Sequence, residues 1–237
     1  MLKDFVEKIV SLGWPTIVPQ GGLSYTDKPL NLIVPPCASV VGLSTLTGLV
    51  DVITQKLDGM DLTQWAVQVV SHAEVRLIRR ETDMYGRRVV LASVKLDDGV
   101  PFTFGRFLDR EEFVIGLAAK FVPNGDLQEV LKMCSTLQVC TVAISEDDGV
   151  SQRTTVKQGV TLKEQVTVKG RVQLSPYRTF REIEQPESTF VFRLKSRDGA
   201  VPECGLFEAD GGKWKLDAML AIKAWLDGKS LGLPVLA

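Results

Sequence analysis

Within residues 161–174 and 190–195 apolar and charged side chains fall on opposite faces with period two, and this pattern constrains the fold more than any other feature of the chain. Leu162, Val166, Val168 and Val172 hold even positions, while Lys163, Lys169 and Arg171 hold odd ones. Phe190, Phe192 and Leu194 alternate in the same way with Arg193 and Lys195. Successive side chains of a strand point to opposite faces, so these stretches predict strands with one core face and one basic face. Residues 152–174 and 190–207 are expected to join a single antiparallel sheet, with Val166, Val168, Val172, Phe190 and Phe192 buried and Lys163, Lys169 and Arg171 exposed.

The remaining pattern mixes strands and helices. Residues 65–70, 75–80 and 89–96 read as strands, with a Tyr85-Gly86 turn before the third. Asp98-Gly99 reads as a hairpin turn into a strand at 100–104, and residues 139–144 read as a further strand. Residues 2–12 carry Leu2, Phe5, Val6, Ile9 and Val10 on one helical stripe, stopped by Gly13 and Pro15. Ser44 is expected to cap a helix bearing Leu46, Leu49, Val50, Ile53 and Leu57, ended by Asp58-Gly59. Asp109 with Glu112, and Asp126 with Glu129, are acidic variants of the capping box. The first predicts a helix with Phe113, Leu117, Ala118 and Phe121 inside, and the second a helix running to Cys134. A closing helix at 213–227 carries Trp214, Ala218, Ala221, Ile222 and Trp225. Without strict β-α-β alternation, the expected class is α+β: antiparallel sheets with helices packed on one side. Residues 89–122 and 189–226 read alike, with Gly99, Gly105 and Phe107 matching Gly199, Gly205 and Phe207. A duplicated β-β-α unit would explain the match; so would the commonness of a hairpin followed by a helix.

The segment 13–50 carries charge only at Asp27 and Lys28 and contains Pro15, Pro19, Pro29, Pro35 and Pro36. It is too apolar for a solvated linker and too rich in proline for a central strand. It reads as an extended arm with a short strand around 30–34. The expected organisation is therefore an N-terminal helix and apolar arm over 1–43 and an α+β core domain with a docked C-terminal tail over 44–237. Trp14, Ile17, Val18, Leu30, Leu32, Ile33 and Val34 would be an aggregation liability in water, and are expected to be covered by the protomer's own core or by a second copy.

Composition narrows the function. In 237 residues, 45% are hydrophobic and 24% charged, which are ordinary globular values. The formal net charge is −1, so a uniformly basic nucleic-acid coat protein is excluded. Yet residues 151–197 hold ten Lys or Arg against four Asp or Glu, a local excess of +6. A basic sheet face could bind phosphates, and it could equally be the solvated side of a half-exposed sheet. It lacks, on the sequence, the interleaved aromatics on which single strands stack. Arg178 and Arg181 are expected to pair locally with Glu182 and Glu184, the alternative being a ligand phosphate.

The four cysteines, Cys37, Cys134, Cys140 and Cys204, form no C-x-x-C, and His72 is the only histidine. That pattern does not suit a zinc site, and buried reduced thiols are expected instead. The acids at Asp97-Asp98, Asp109 with Glu111 and Glu112, and Glu146-Asp147-Asp148 are read as turns and caps. No phosphate-binding glycine loop or nucleophile elbow is present. No cofactor or metal is expected. The Met1-Leu2-Lys3-Asp4 start does not read as a signal peptide, and no apolar run is long enough to read as a membrane span, so the expected setting is the cytoplasm.

The string Ser175-Pro176-Tyr177-Arg178-Thr179-Phe180-Arg181-Glu182-Ile183-Glu184-Gln185-Pro186, followed by Phe190-Val191-Phe192-Arg193, is distinctive. With Leu206-Phe207-Glu208-Ala209-Asp210-Gly211-Gly212 and Asp147-Asp148-Gly149-Val150-Ser151-Gln152, it resembles the YfdQ-like family of phages and prophages. The resemblance covers most of residues 40–227 and is weakest in the arm. That family has no established activity, so the resemblance implies no catalytic residue. It implies a phage or prophage origin and expression in the bacterial cytoplasm. The expected function is a non-enzymatic, self-assembling homo-oligomer with a structural or accessory role. The alternative is a nucleic-acid-associated accessory protein in replication, recombination or counter-defence, using the basic face. An enzyme with an unrecognised site is the third class.

Overall fold

The structure is a computed structural model and describes residues 2–13, 17–20, 23–26, 37–97, 99, 101–136, 141–147, 152–158, 161–168, 170–195 and 202–237. It divides into two compact units, Met1–Ala38 and Ser39–Ala237.

The first unit holds α1 (Leu2–Gly13) and a two-stranded antiparallel hairpin, β1 (Ile17–Gln20) and β2 (Leu23–Thr26). The hairpin lies where sequence suggested an extended arm; Pro19 fits because a two-stranded ribbon has free edges. The strand expected around 30–34 lies outside the described residues. α1 takes the expected span, but it buries none of its residues.

In the second unit, β3 (Val41–Leu43) precedes α2 (Leu46–Thr54), then come β4 (Trp65–Ser71), β5 (Glu74–Thr82) and β6 (Arg88–Lys95). Next are β7 (Phe107–Leu108), α3 (Arg110–Lys120), α4 (Gly125–Thr136), β8 (Thr141–Asp147), β9 (Gln152–Gln158) and β10 (Thr161–Val168). The chain closes with β11 (Arg171–Leu174), β12 (Ser188–Lys195), β13 (Glu203–Glu208), α5 (Lys213–Asp227) and β14 (Val235–Leu236). The fold is α+β. Because β3 pairs with β6, the unit begins before the boundary that sequence placed at residue 43.

A five-stranded sheet has the order β14-β4-β5-β6-β3, antiparallel through β4–β6 and parallel at both edges. Its inner face carries the cross-strand rows Val67–Leu77–Ala92 and Val69–Val75–Val94, all buried. Leu46, Leu49 and Ile53 of α2 and Ile222 and Leu226 of α5 close over them. Thr45, not Ser44, caps α2, its hydroxyl accepting the Gly48 N–H at 3.1 Å. The helix stops at Thr54, earlier than the Asp58-Gly59 end that sequence predicted, so Leu57, expected on its stripe, lies outside it in a short turn and is exposed; Lys56, Asp58 and Gly59 there are left-handed.

A four-stranded antiparallel sheet has the order β11-β12-β13-β7. Val172, Leu174, Phe190, Phe192, Leu194, Cys204 and Leu206 face inward against Phe113 and Leu117 of α3 and Leu127 and Val130 of α4. Ala118 is exposed on the far side of α3, contrary to expectation. Asp109 caps α3 through the Glu112 N–H at 3.0 Å. The cap of α4 is Asn124, which accepts the Leu127 N–H at 2.8 Å. Asp126, expected to cap, instead accepts the Gln173 N–H at 2.7 Å, and Asn124 donates to the Gln173 carbonyl at 2.8 Å. Two side chains of the α4 start thus close the free edge of β11, which would otherwise offer a pairing template.

The expected single sheet is divided. β8, β9 and β10 form a separate three-stranded meander, of which only the backbone is described. The chain leaves it after Val168, and pairing with β12 begins at Gly170, whose carbonyl accepts the Phe192 N–H at 2.9 Å. The two similar stretches also fold differently. β12 and β13 pair with each other, whereas β6 and β7 lie in different sheets. Residues 101–104 form no strand; Phe102 turns inward onto Gly116 of α3.

Candidate functional site

The four-stranded sheet positions three of the sequence-predicted bases, Arg171, Arg193 and Lys195. Its outer face is laid out by register. Arg171, Val191 and Phe207 form one row, Arg193, Gly205 and Phe107 the next, and Lys195 and Glu203 a third. Arg171 and Lys195 are exposed and Arg193 is half-buried, while Val172, Phe190, Phe192 and Leu194 are buried on the other side. The alternation is therefore realised here as expected. Lys163 lies in β10, in the separate meander, and its side chain lies outside the described residues, as do those of Val166 and Val168. Lys169 lies outside them altogether. The basic face consists of Arg171, Arg193 and Lys195, partly offset by Glu203, which stands 3.9 Å from Lys195.

The same face holds two aromatic rings that the sequence reading missed. Phe107 and Phe207 meet at 5.4 Å between centroids and 64° between planes. They close over Gly205, where a Cβ would stand 3.0 Å from Phe207 Cε2 and 3.1 Å from Phe107 Cδ1. Only glycine lets the two rings meet edge to face this close to the strand. Lys195 Nζ is 5.6 Å from the Phe107 centroid. Phe207 was detectable, because Glu203, Gly205 and Phe207 alternate with buried Cys204 and Leu206. Phe107 sits on a two-residue strand, too short for any period.

Arg178 is not on this face. It is a buried joint, its side chain 10% exposed, with Nη1 2.6 Å from Glu208 and Nη2 donating to Ser188. Its partner is thus Glu208 of β13, not the local acids Glu182 and Glu184. Its guanidinium lies 3.7 Å from the Trp214 ring centre. Burial pulls its pKa down to about 10, against the favourable charges of Glu208 and Asp210. Burial alone would raise the Asp210 carboxyl. The Ser188 hydroxyl, the Gly212 N–H, the Arg178 charge and the Trp214 N–H outweigh it and hold that carboxyl below the ordinary value. Arg181 is exposed and stacks on Tyr177, 4.0 Å from its centroid. Glu182 accepts the Thr47 N–H at 3.1 Å, near the start of α2.

The connection between β11 and β12 is anchored, as its bracketing prolines predicted. Phe180 and Ile183 enter the core of the five-stranded sheet. Gln185 Oε1 accepts the N–H groups of Arg178 and Thr179, and its Nε2 donates to the carbonyls of Phe180 and Ile183. The Thr179 hydroxyl donates to the His72 carbonyl at 2.6 Å, and the His72 ring meets Trp214 edge-on at 4.6 Å. A groove of roughly 610 Å³ on the five-stranded sheet is lined by Gly42, Glu74, Arg76, Ser93 and Lys95 among others. Its acid is already engaged, since Glu74 accepts from Arg76 at 2.8 Å and from Ser93 at 3.3 Å.

Of the residues expected at an oligomer contact, Ile17 is 57% exposed and Val18 is described by backbone only. Trp14, Leu30, Leu32, Ile33 and Val34 lie outside the described residues. Cys134 and Cys204 are buried, but Cys37 is exposed, against expectation, and Cys140 lies outside the described residues. Among the described residues no group of three or more His, Cys, Asp or Glu is placed to hold a metal ion, and no helix is long and apolar enough to cross a membrane. Comparison with family models, with curated proteins and with solved structures finds no match to this chain.

Proposed function

We propose that this chain is a non-enzymatic protein of phage or prophage origin that self-assembles through its N-terminal unit. The single observation that carries the reading is α1, in which Leu2, Phe5, Val6, Ile9, Val10 and Leu12 are all at least 50% exposed. A helix of twelve residues is marginal in water on its own and depends on packing of its apolar face. The charges of α1, Lys3, Asp4, Glu7 and Lys8, cancel, which disfavours an anionic lipid surface and favours protein. A second copy meets that need and closes into a symmetric assembly. The resemblance of 175–186 and 206–212 to the YfdQ-like family supports the phage origin and a cytoplasmic setting. Light scattering on a sizing column tests the reading. The wild type is expected well above 26.1 kDa, and Phe5→Asp with Ile9→Asp is expected to reduce it to that mass. A wild type running at the protomer mass at high concentration overturns it.

A second reading is favoured by a different observation, the placement of Arg171, Arg193 and Lys195 on one face of the four-stranded sheet. It makes the chain a nucleic-acid-associated accessory protein that neutralises phosphates there. Binding would then weaken steeply with salt, and Arg171→Ala with Lys195→Ala would flatten that dependence. Retention on a DNA column that ignores both salt and these substitutions would dismiss it.

A further inference from the structure

We infer that Phe107 and Phe207 are a base-stacking platform, so that the outer face of the four-stranded sheet takes single-stranded nucleic acid, with phosphates on Arg171, Arg193 and Lys195. This rests on the nucleic-acid reading above and specifies which state of the strand is bound.

A merely solvated sheet face calls for polar side chains, and two phenylalanines there serve no core. Their rings are held by the fold. Phe107 pairs directly with Gly205, and Phe207 lies two residues along the same strand, so both rings settle onto the glycine backbone. That settling fixes the two rings edge to face over the glycine before any ligand arrives, with the outward ring face left for a base. The cations flank the rings in register. Arg171 shares the row of Phe207, two strands across, and Arg193 shares the row of Phe107, also two strands across. With strands about 4.8 Å apart, each arginine starts roughly 10 Å from its ring, within reach of the phosphates beside a stacked base.

Aromatic faces bind bases of any sequence, and adjacent bases track a basic groove through their phosphates. In a duplex the base faces are hidden in the stack, so the rings would gain nothing. An apolar protein partner is disfavoured, because three cations would be drawn into an interface whose centre is normally depleted of charge. Lys195 is 60% exposed and its ammonium stands 3.9 Å from Glu203, at the outer limit of an ion pair, so its charge can also reach a phosphate.

The test is fluorescence anisotropy with the full chain and three labelled probes: an oligothymidylate, an abasic oligodeoxyribose phosphate of equal length, and a duplex. The oligothymidylate is expected to bind about tenfold or more tighter than either of the others. Phe107→Leu with Phe207→Leu keeps apolar bulk over Gly205 and is expected to erase that preference while leaving the salt dependence intact. Arg171→Ala with Lys195→Ala is expected to weaken all three probes together. Equal affinity for the abasic and thymidylate strands overturns the stacking platform, needs no variant that must fold, and leaves the nucleic-acid reading standing. Absence of binding to all three probes at low salt overturns both.

Discussion

The guanidinium of Arg178 lies 3.7 Å above the ring of Trp214, and this stack links the two cores of the second unit. Trp214 opens α5, whose Ile222 and Leu226 belong to the core of the five-stranded sheet. On its other side Arg178 lies 5.7 Å from Phe190, which belongs to the core of the four-stranded sheet. Arg178→Met keeps the stem but removes the charge, the bond to Glu208 and the bond to Ser188. Hydrogen bonds to charged groups contribute about 1.5–3 kcal/mol and a desolvated cation–π contact about 2. Glu208 is 39% exposed and regains water when abandoned, so the loss stays below that of a fully buried pair. A loss of about 2–3 kcal/mol in urea unfolding is expected. Arg178→Lys should recover less than half, since a point charge has neither the fork nor the flat face. A change within about 0.5 kcal/mol for Arg178→Met would show that this residue joins nothing.

Asp210 makes stability depend on pH at the acid end. Its folded carboxyl is held below 3.8 by the Ser188 hydroxyl, two backbone N–H groups and Arg178, which together outweigh its burial. In that range the unfolded chain binds more protons, so stability rises with pH. The contribution is complete above 3.8 and is lost as pH falls through the lower folded value. Asp210→Asn is expected to flatten the acid limb of a plot of urea midpoint against pH, with the curve above pH 5 shifted but parallel. An unchanged acid limb would place the titrating group elsewhere.

The alternation at 171–174 and 190–195 was legible because one-sided burial stamps period two on the sequence, and the structure buries Val172, Phe190 and Phe192 as that period requires. The break between β10 and β11 was not legible. Val168 and Val172 keep the same parity, so the period runs on although the strands belong to different sheets. The partner of Arg178 was missed for a related reason: Glu182 and Glu184 are neighbours in sequence, while Glu208 arrives only when β13 pairs with β12. Phe107 was hidden because its outward placement is dictated by Gly205 across the strand pair and by nothing in its own two-residue strand.

Gly116 shows two effects in competition. It lies within α3, where alanine is favoured by about 1 kcal/mol. A Cβ there would stand 2.9 Å from Cε2 and 3.0 Å from Cδ2 of Phe102. Phe102 is buried and meets Phe121 edge-on at 5.1 Å and Phe113 at 5.9 Å, so its ring has little freedom to retreat. Overpacking of this kind costs about 1–3 kcal/mol. Gly116→Ala is therefore expected to lower stability by about 1 kcal/mol despite its better helix propensity. Adding Phe102→Leu to it should cost less than the two single changes summed. A stabilised Gly116→Ala would mean that the 101–104 segment yields freely.

Cys134 of α4 and Cys204 of β13 face each other inside the core, with sulfurs 3.8 Å apart. The Cys204 contact and burial both push the Cys134 thiol upward, so it is neutral at physiological pH. Attack on an aromatic disulfide reagent requires the thiolate and access to it, and Cys134 has neither. Cys37 is exposed. Peptide mapping by mass spectrometry after a short reaction at pH 7.5 is expected to find the label on Cys37, with Cys134 and Cys204 unlabelled. Both buried thiols should react only as fast as the core opens, so that low urea speeds them more than it speeds Cys37. Arg178→Met, which loosens the link between the cores, should raise their labelling rate by the same factor as it raises the population of the open form. Labelling of Cys134 or Cys204 at the rate of Cys37 in the wild type would mean that α4 and β13 are not packed together as described.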